Sequence, residues 1–370
     1  MIIGGGIAGA SAGYELSRHG SVIILEKEPY AGYHSTGRSS AIFQKSYLKG
    51  DPLLNILVSA SEDFLRHPPQ GFTPHPLLSP RDLIYIADAE NQHSLDELRL
   101  KLANINISAD FIDGAEAARL LPILSPPYRG RALLEKGAAD MDVNALHDGY
   151  LRAIKAHGGR IITEAEVTTL HKKNHQWQAE TSQGNFQAPI VVNAAGAWGD
   201  QIARLANITP INIQPLRRTV IMVALPKTLS PAQWPLVMNP AEGYYFKPDS
   251  GKILMTPGDE KPSPPTDAQP EEIDIAYAAH YLEKTTTLKV NKIARSWAGL
   301  RNHVADGHPV LGFDPESEGF FWLAGQGGFG IKTAPALGRI AAALIRQKAL
   351  PQDISDLGLT EKQISIHRLK

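Results

Sequence analysis

The stretch MIIGGGIAGASAGYELSRHGSVIILEKE at the start of the chain leaves few folds to choose from. It reads as strand, glycine turn, helix, glycine stop, strand and acid. Gly4, Gly6 and Gly9 fill the pattern G-x-G-x-x-G. The first glycine permits a tight turn, the second lets a pyrophosphate reach the backbone, and the third lets helix and strand pack closely. The spacing predicts a helix over residues 8–19, stopped by Gly20. Its amide-rich N-terminus, next to Ile7 and Ala8, directs positive charge at the phosphates. Residues 22–25 form an apolar second strand. Glu26 ends it at about the 20-residue distance expected of the acid that accepts both ribose hydroxyls. A lone G-x-G-x-x-G is a weak signal. Both strands, the helix and the acid together point to a dinucleotide, without separating FAD from NAD.

Composition narrows the classes further. A chain of 370 residues has room for two domains. Lys+Arg 37 against Asp+Glu 38 leaves a net charge of −1, so no global field favours nucleic acid or an anionic membrane. With no cysteine, disulfides, thiolate metal sites, cysteine nucleophiles and a cysteine-tethered flavin are excluded, and no metal site is expected. No apolar run reaches the roughly 18 residues of a transmembrane span. The first strand opens at residue 1, which leaves no room for a signal peptide. A cytoplasmic protein is expected, with a few residues preceding the numbered start.

Beyond Glu26 comes the hydroxyl-rich turn GYHSTGRSSA, then helical spacing over residues 52–66. Residues 83–86 and 110–113 read as strands and 91–103 as a helix, with Asp113 placed to cap the next helix. From Asp142 strand and helix alternate again: a helix over 144–157, strands at 160–163 and 166–170, and one apolar strand over 186–195 ending in NAAGAW. Residues 214–224 open a β-rich region with a hairpin at YYFKPDSG. The Pro- and Asp-rich residues 257–269 read as a loop and 271–284 as a helix. After a strand at 320–324, glycines at 325, 327, 328 and 330 open an Ala-rich helix over 333–346. That second helix N-terminus is a place to hold a flavin carbonyl or a phosphate.

These pieces together resemble the D-amino-acid oxidase superfamily of FAD enzymes, and within it the bacterial D-arginine dehydrogenases. The likeness covers nearly the whole chain. It is carried by IGGGIAGASAGYELSRHG, GYHSTGRSSA, HPLLSPR, DVNALHDGYL, VVNAAGAW, QPLRRTV, YYFKPDSG, SWAGLRNHVADG and GQGGFGIKT. The resemblance implies an α/β fold: a Rossmann-like FAD domain from residues 1–80, 140–210 and 302–370, and an α+β substrate domain on a mixed or antiparallel sheet from 81–139 and 211–301. It implies non-covalent FAD, with pyrophosphate on Gly4, Gly6 and Gly9, ribose on Glu26 and adenine near Val167. Ser35, Thr36, Arg38, Ser39, Ser40 and Ala41 are implied beside the pyrophosphate and flavin, with Ala195, Gly196 and Trp198 also in the cofactor site. Gly327, Gly328, Gly330, Ile331 and Lys332 are implied around the flavin, whose O2 would meet the helix opened by the last three.

The substrate implied is an amino acid, a small molecule, with an electron acceptor of unspecified identity to reoxidise the flavin. A planar carboxylate is best fixed by guanidinium forks, and Arg218 and Arg301 match the arginines that hold it in the family. Arg301 also adjoins the flavin. Tyr47 and Tyr245 match tyrosines that hydrogen-bond the same end, and Gly328 a backbone carbonyl that faces the amine. The sequence departs from the D-arginine dehydrogenases at Leu83, where they have a glutamate, at Ile42 for a histidine, and at Gln44 for a threonine. With Leu83 expected at the side-chain end, a neutral substrate side chain follows, unless Asp82 or an acid from residues 257–269 reaches in. The expected reaction is dehydrogenation of a D-amino acid to an imino acid, then a 2-keto acid and ammonia. The same arginines also fit a 2-hydroxy acid, an N-methylated or glycine-type amino acid, or an oxygen-using D-amino-acid oxidase.

Overall fold

A computed structural model describes residues 1–369. Gly4 adopts φ +104°, and a Cβ there would stand 2.5 Å from the Ala194 carbonyl oxygen. A Cβ on Gly9 would stand 2.0 Å from the Gly4 oxygen. Neither approach tolerates a side chain, so strand Ile2–Ile3 turns at once into helix Ile7–Ser17. The helix ends before Gly20: Arg18, in right-handed backbone, caps it, and Gly20 does not adopt the positive φ of a glycine stop.

Ile2–Ile3 lies in the middle of a six-stranded sheet, parallel to Ile23–Leu25 on one side and to Val191–Asn193 on the other. Arg160–Ile162 and Phe320–Ala324 extend it in parallel, and Val310–Phe313 closes one edge antiparallel. Side chains alternate across the sheet. Ile2, Ile24, Val192, Phe321 and Leu323 pack beneath helices Ile7–Ser17, Pro52–Arg66, Val143–Ala156 and Gly330–Ile345. Ile3, Leu25, Val191, Phe320 and Trp322 face the other way, onto helix Gly199–Leu205 and the antiparallel meander Val167–Lys173, Gln176–Thr181 and Gly184–Ala188. Burial on both faces is what makes the central strands read as continuous apolar runs.

A second, nine-stranded sheet is mixed. Gln214–Ala224 pairs antiparallel with Ile293–His303 along most of its length and with Lys252–Thr256 and Lys261–Pro262. Tyr245–Asp249, Leu236–Met238, Leu83–Tyr85, Ala132–Glu135 and Asp110–Ile112 follow in that order, with Leu236–Met238 parallel to Leu83–Tyr85. One face packs on helix Glu272–Thr285 through Ala278 and Leu282, the other on His93–Ala103 through Leu95, Leu98 and Leu102. The fold class is the expected one: a Rossmann-like α/β part joined to an α+β part on a mixed sheet. Asp113 and Asp142 cap their helices, accepting from the amides of Glu116 and Ala145 at 2.8 Å each.

Three further local expectations give way. The single strand over 186–195 is two, Gly184–Ala188 in the meander and Val191–Asn193 in the central sheet. Pro189, with no N–H to offer a ladder, lies between them. Within the loop 257–269, Lys261–Pro262 pairs with Leu216 and Arg217, so this segment is pinned against the second sheet. The Ala-rich helix starts at Gly330, a turn earlier than its apolar spacing indicates, and carries Pro335 inside. The Ala336 amide there donates to the Ser61 hydroxyl at 3.1 Å.

Candidate active site

One continuous cavity of about 690 Å³ runs between the two sheets, within the usual size of a small-molecule or cofactor site. At its nucleotide end the lining is largely backbone. Gly4 and Gly6 present bare main chain, and a Cβ on Gly6 would meet only the Thr36 hydroxyl, at 3.2 Å. That hydroxyl accepts the first helical amide, Ile7 N–H, at 2.9 Å. Glu26 is buried, and each of its oxygens takes one amide: Gly5 N–H at 2.8 Å and Glu28 N–H at 3.0 Å. Two amides leave a carboxylate with lone pairs for further donors, so a ribose diol still fits. Val167, Ala195, Gly196 and Trp198 line the same end. Lys27 lies over the Trp198 ring, its ammonium 3.5 Å from the centroid. A glycine cradle, a helix N-terminus and a buried acid suit an adenine dinucleotide.

The substrate end is built from side chains delivered by distant strands. Arg218 and Tyr245 come from neighbouring parts of the second sheet, and Arg301 from Ile293–His303, where Leu216 is its partner across the ladder. Gly328 underlies them. A Cβ there would fall 2.3 Å from the Tyr47 hydroxyl and 2.8 Å from both Cζ and Nε of Arg301, so only glycine lets the three converge. Ile42, Gln44, Val220 and Met238 complete the wall. Lys332, from the first turn of the late helix, is buried with its ammonium 4.1 Å from the Tyr47 ring centroid.

Burial and mutual charge set the titration of this cluster. Burial pushes the Tyr47 phenol above its ordinary value. Burial raises Tyr245 too, but the guanidiniums of Arg301 and Arg218 outweigh it and leave that phenol below its usual range. Arg218 is drawn down by burial and by its like-charged neighbour Arg301. Burial works against the Arg301 charge, yet Tyr47, Tyr245 and Glu260 together hold it above normal. Desolvation, reinforced by Arg301, brings the Lys332 ammonium down to about 7, against the opposing pull of Glu135. Loss of hydration next to a like charge is what moves a lysine in this direction.

The model for FAD-dependent oxidoreductases of the D-amino-acid oxidase type matches residues 1–344. The chain belongs to the D-amino-acid oxidase family. Glycine oxidase of Geobacillus kaustophilus is 26% identical over 97% of this chain and 96% of its own. Its crystal structure superposes with a TM-score of 0.83 at 24% identity, covering 97% of both chains. Sarcosine oxidase subunit beta of Rhizobium meliloti is 24% identical over 94% of this chain and 84% of its own. L-proline dehydrogenase of P. horikoshii superposes with a TM-score of 0.80 at 23% identity, over 95% of this chain and 94% of that one. As a D-amino-acid oxidase family member the chain uses FAD, and the glycine cradle fits it.

The cavity of this family member gathers nearly all of the expected site residues: Gly4, Gly6, Ile7, Ala8, Glu26, Ser35, Thr36, Arg38, Ser39, Ser40, Ala41, Tyr47, Val167, Ala195, Gly196, Trp198, Arg218, Tyr245, Arg301, Gly327, Gly328, Gly330, Ile331 and Lys332. Gly9 is the exception; it packs helix on strand and does not reach the cavity. Two polar side chains are spent on the protein. The Ser35 hydroxyl donates to the Leu300 carbonyl at 2.7 Å. Arg38 donates to the carbonyls of Ala268 and Ala298 at 2.8 and 3.2 Å and pairs with Asp267, tying residues 267–268 to the cofactor wall. Leu83 is on the expected side, in one cluster with the wall residues Ile42, Met238 and Tyr245, but it is fully buried behind them and lines no part of the cavity. An acid from residues 257–269 meets the arginines instead, from outside the cavity lining. Glu260 Oε1 accepts from Arg218 at 2.8 Å and Arg301 at 3.4 Å. Sequence reasoning also missed His147, whose Nε2 meets the Gly5 carbonyl at 2.8 Å and braces the cradle from DVNALHDGYL. Nothing in the local pattern of a helical His announces such a contact.

Proposed function

We propose that the chain oxidises the Cα–N bond of an α-amino acid, a D-amino acid with a neutral side chain, to an imino acid that water converts to a 2-keto acid and ammonia. The Arg301 guanidinium carries this reading. It lines the cavity beside two half-buried tyrosines, Tyr47 and Tyr245, and its one hydrogen-bonded partner among the described residues is Glu260, at 3.4 Å. Its remaining donors match the planar fork that holds a substrate carboxylate. Arg218 assists, with Nε committed to the Asp259 carbonyl at 2.6 Å and Nη2 to Glu260. Tyr47 and Tyr245 offer hydroxyls to the same carboxylate, and the Gly328 carbonyl accepts from the amine. FAD, when bound, takes up the hydride that leaves Cα. Holding the carboxylate at one end and the amine at the other fixes the direction of the Cα–H bond, which is the protein's share of the rate.

A neutral side chain follows from the wall. The acids lining the cavity, Glu26 and Glu166, adjoin the nucleotide cradle and Val167, whereas Ile42, Val220 and Met238 lie beside the arginines. A guanidinium or ammonium buried there without a partner faces a desolvation cost of several kcal/mol. We assign the FAD domain to residues 1–80, 140–210 and 302–370 and the substrate domain to 81–139 and 211–301. The FAD is non-covalent, so acid precipitation should release the yellow colour to the supernatant. Dehydrogenase rather than oxidase activity is expected: artificial dyes should outpace oxygen as acceptors. The relatives named glycine oxidase and sarcosine oxidase favour a second reading, a glycine-type or N-methylated substrate held by the same arginines. Anaerobic bleaching of the flavin by a panel of D- and L-amino acids, glycine, sarcosine and 2-hydroxy acids decides. Bleaching by hydroxy acids alone would sink the amino-acid reading.

A further inference from the structure

Glu260 stands where an enzyme that binds carboxylates has least use for one. It leaves the strand edge beside Lys261–Pro262 and directs Oε1 at both arginines, 2.8 Å from Arg218 and 3.4 Å from Arg301. Its side chain is 46% exposed against 11% and 18% for the arginines, and it does not line the cavity. The acid therefore meets the guanidiniums from their outer side while a substrate meets them from within. The other charges on this cluster are already engaged. Asp259 stands 4.0 Å from Arg218 Nε, but its carboxylate is spent on Thr219, accepting from the amide at 2.9 and 3.0 Å and from the hydroxyl at 2.9 Å. Arg217, one residue from Arg218 and on the opposite face of the strand, pairs with Glu271 and Asp274. Glu260 is the acid that the two substrate-facing arginines share.

We propose that Glu260 is a specificity-determining residue that limits the site to substrates carrying one carboxylate. Resting on the reading of Arg301 and Arg218 as the carboxylate fork, it adds the substrate class. A carboxylate fixed outside the fork removes one unit of the positive charge the substrate sees. One substrate carboxylate still finds the inner donors, but a second meets a field already partly neutralised and a like charge beyond it. Glu260 acts through the arginines, so it is also a positioning residue, and the two effects separate. Loss of positioning weakens all carboxylates alike, whereas loss of charge selection changes their ratio.

The experiment titrates holoenzyme with acetate and with malonate, following the flavin absorbance, in wild type, Glu260→Gln, Glu260→Ala and Arg301→Ala. Both Glu260 variants should shift the ratio of dissociation constants toward malonate by on the order of tenfold, with flavin content unchanged. In turnover, the kcat/KM ratio of aspartate to asparagine, in whichever enantiomer wild type accepts, should rise in the same sense. An unchanged ratio in both variants, with Arg301→Ala weakened, would overturn the proposal and leave the fork standing. Wild-type affinity for both carboxylates in Arg301→Ala would overturn the fork and the proposal together.

Discussion

The two ends of the cavity are made in different ways. The nucleotide end is built mainly on the first 36 residues, with Val167 and residues 195–198 beside them, and its central working surface is main chain: Gly4, Gly6, the Ile7 amide, with Thr36 and Glu26 as local partners. The substrate end is assembled from residues 47, 218, 245, 301 and 328, and its working surface is charged and phenolic side chains held in a half-buried cluster. A backbone site is intolerant of any added atom. A side-chain site tolerates atoms but depends on charge balance, so the two should break differently.

The largest effect is expected where backbone meets backbone. In Gly9→Ala the new Cβ lies 2.0 Å from the Gly4 oxygen, and neither partner is a side chain that can swing away. Overpacking of this severity costs on the order of 3 kcal/mol or more. The variant should purify with little flavin and a lowered thermal midpoint. Normal flavin content and midpoint would remove the distinction between the two ends.

Arg301→Ala comes next, and should leave flavin content intact while kcat/KM falls on the order of 10²-fold or more. A variant within about threefold of wild type, or 0.6 kcal/mol, would falsify the carboxylate role. Gly328→Ala tests the middle ground. Its Cβ collides with the Tyr47 hydroxyl and the Arg301 guanidinium, which can yield, so the fold should survive. Misplacing both groups should lower kcat/KM roughly 10- to 100-fold, with the flavin spectrum little changed. A Gly328→Ala protein that loses its flavin would show that the substrate end, too, is part of the cofactor's frame.

The same difference explains what could be read from the chain. The cradle was legible because its parts are adjacent and each glycine has a steric reason visible in the spacing. The arginines and tyrosines were legible only through family likeness, since nothing in residues 214–224 says which of Arg217 and Arg218 faces inward. The structure resolves that pair by strand alternation: Arg218 to the cavity, Arg217 to Asp274. Leu83 lies on the face of its strand that was expected, with Ile42, Met238 and Tyr245, but nothing in the three residues Leu83–Tyr85 says that those side chains cover it and keep it out of the cavity. The split at Pro189 follows from proline chemistry, yet the apolar run around it concealed the break. Glu260 was visible only as one acid in a Pro- and Asp-rich segment. Its reach toward Arg301 depends on the pairing of Lys261 with Arg217, a contact 44 residues away in the chain and absent from any local pattern.

The smallest effect is a matter of pH. Lys332 is buried among Tyr47, Arg301 and Glu135 with its ammonium drawn down to about 7, from an ordinary value of 10.5. A lysine depressed in the folded state binds its proton more weakly there than in the unfolded chain. Between about pH 7 and pH 10.5 the unfolded chain therefore holds more protons, and stability rises with pH across that window. Below pH 7 both states are protonated and the whole destabilisation is present; above pH 10.5 it is gone. Lys332→Met removes the charge and keeps the bulk. Its thermal midpoint, measured on apoprotein, should exceed that of wild type by on the order of a few degrees at pH 6, and the excess should shrink steadily toward pH 10. Thr36→Val at the nucleotide end is the control. It deprives the Ile7 amide of its acceptor, at a cost of roughly 1 kcal/mol, and involves no titrating group. Its effect on the midpoint should be flat in pH. A flat Lys332→Met difference would mean that the lysine keeps its charge in the fold, and the substrate end would then be held by a fully cationic trio rather than by two arginines and an amine that gives up its proton near pH 7.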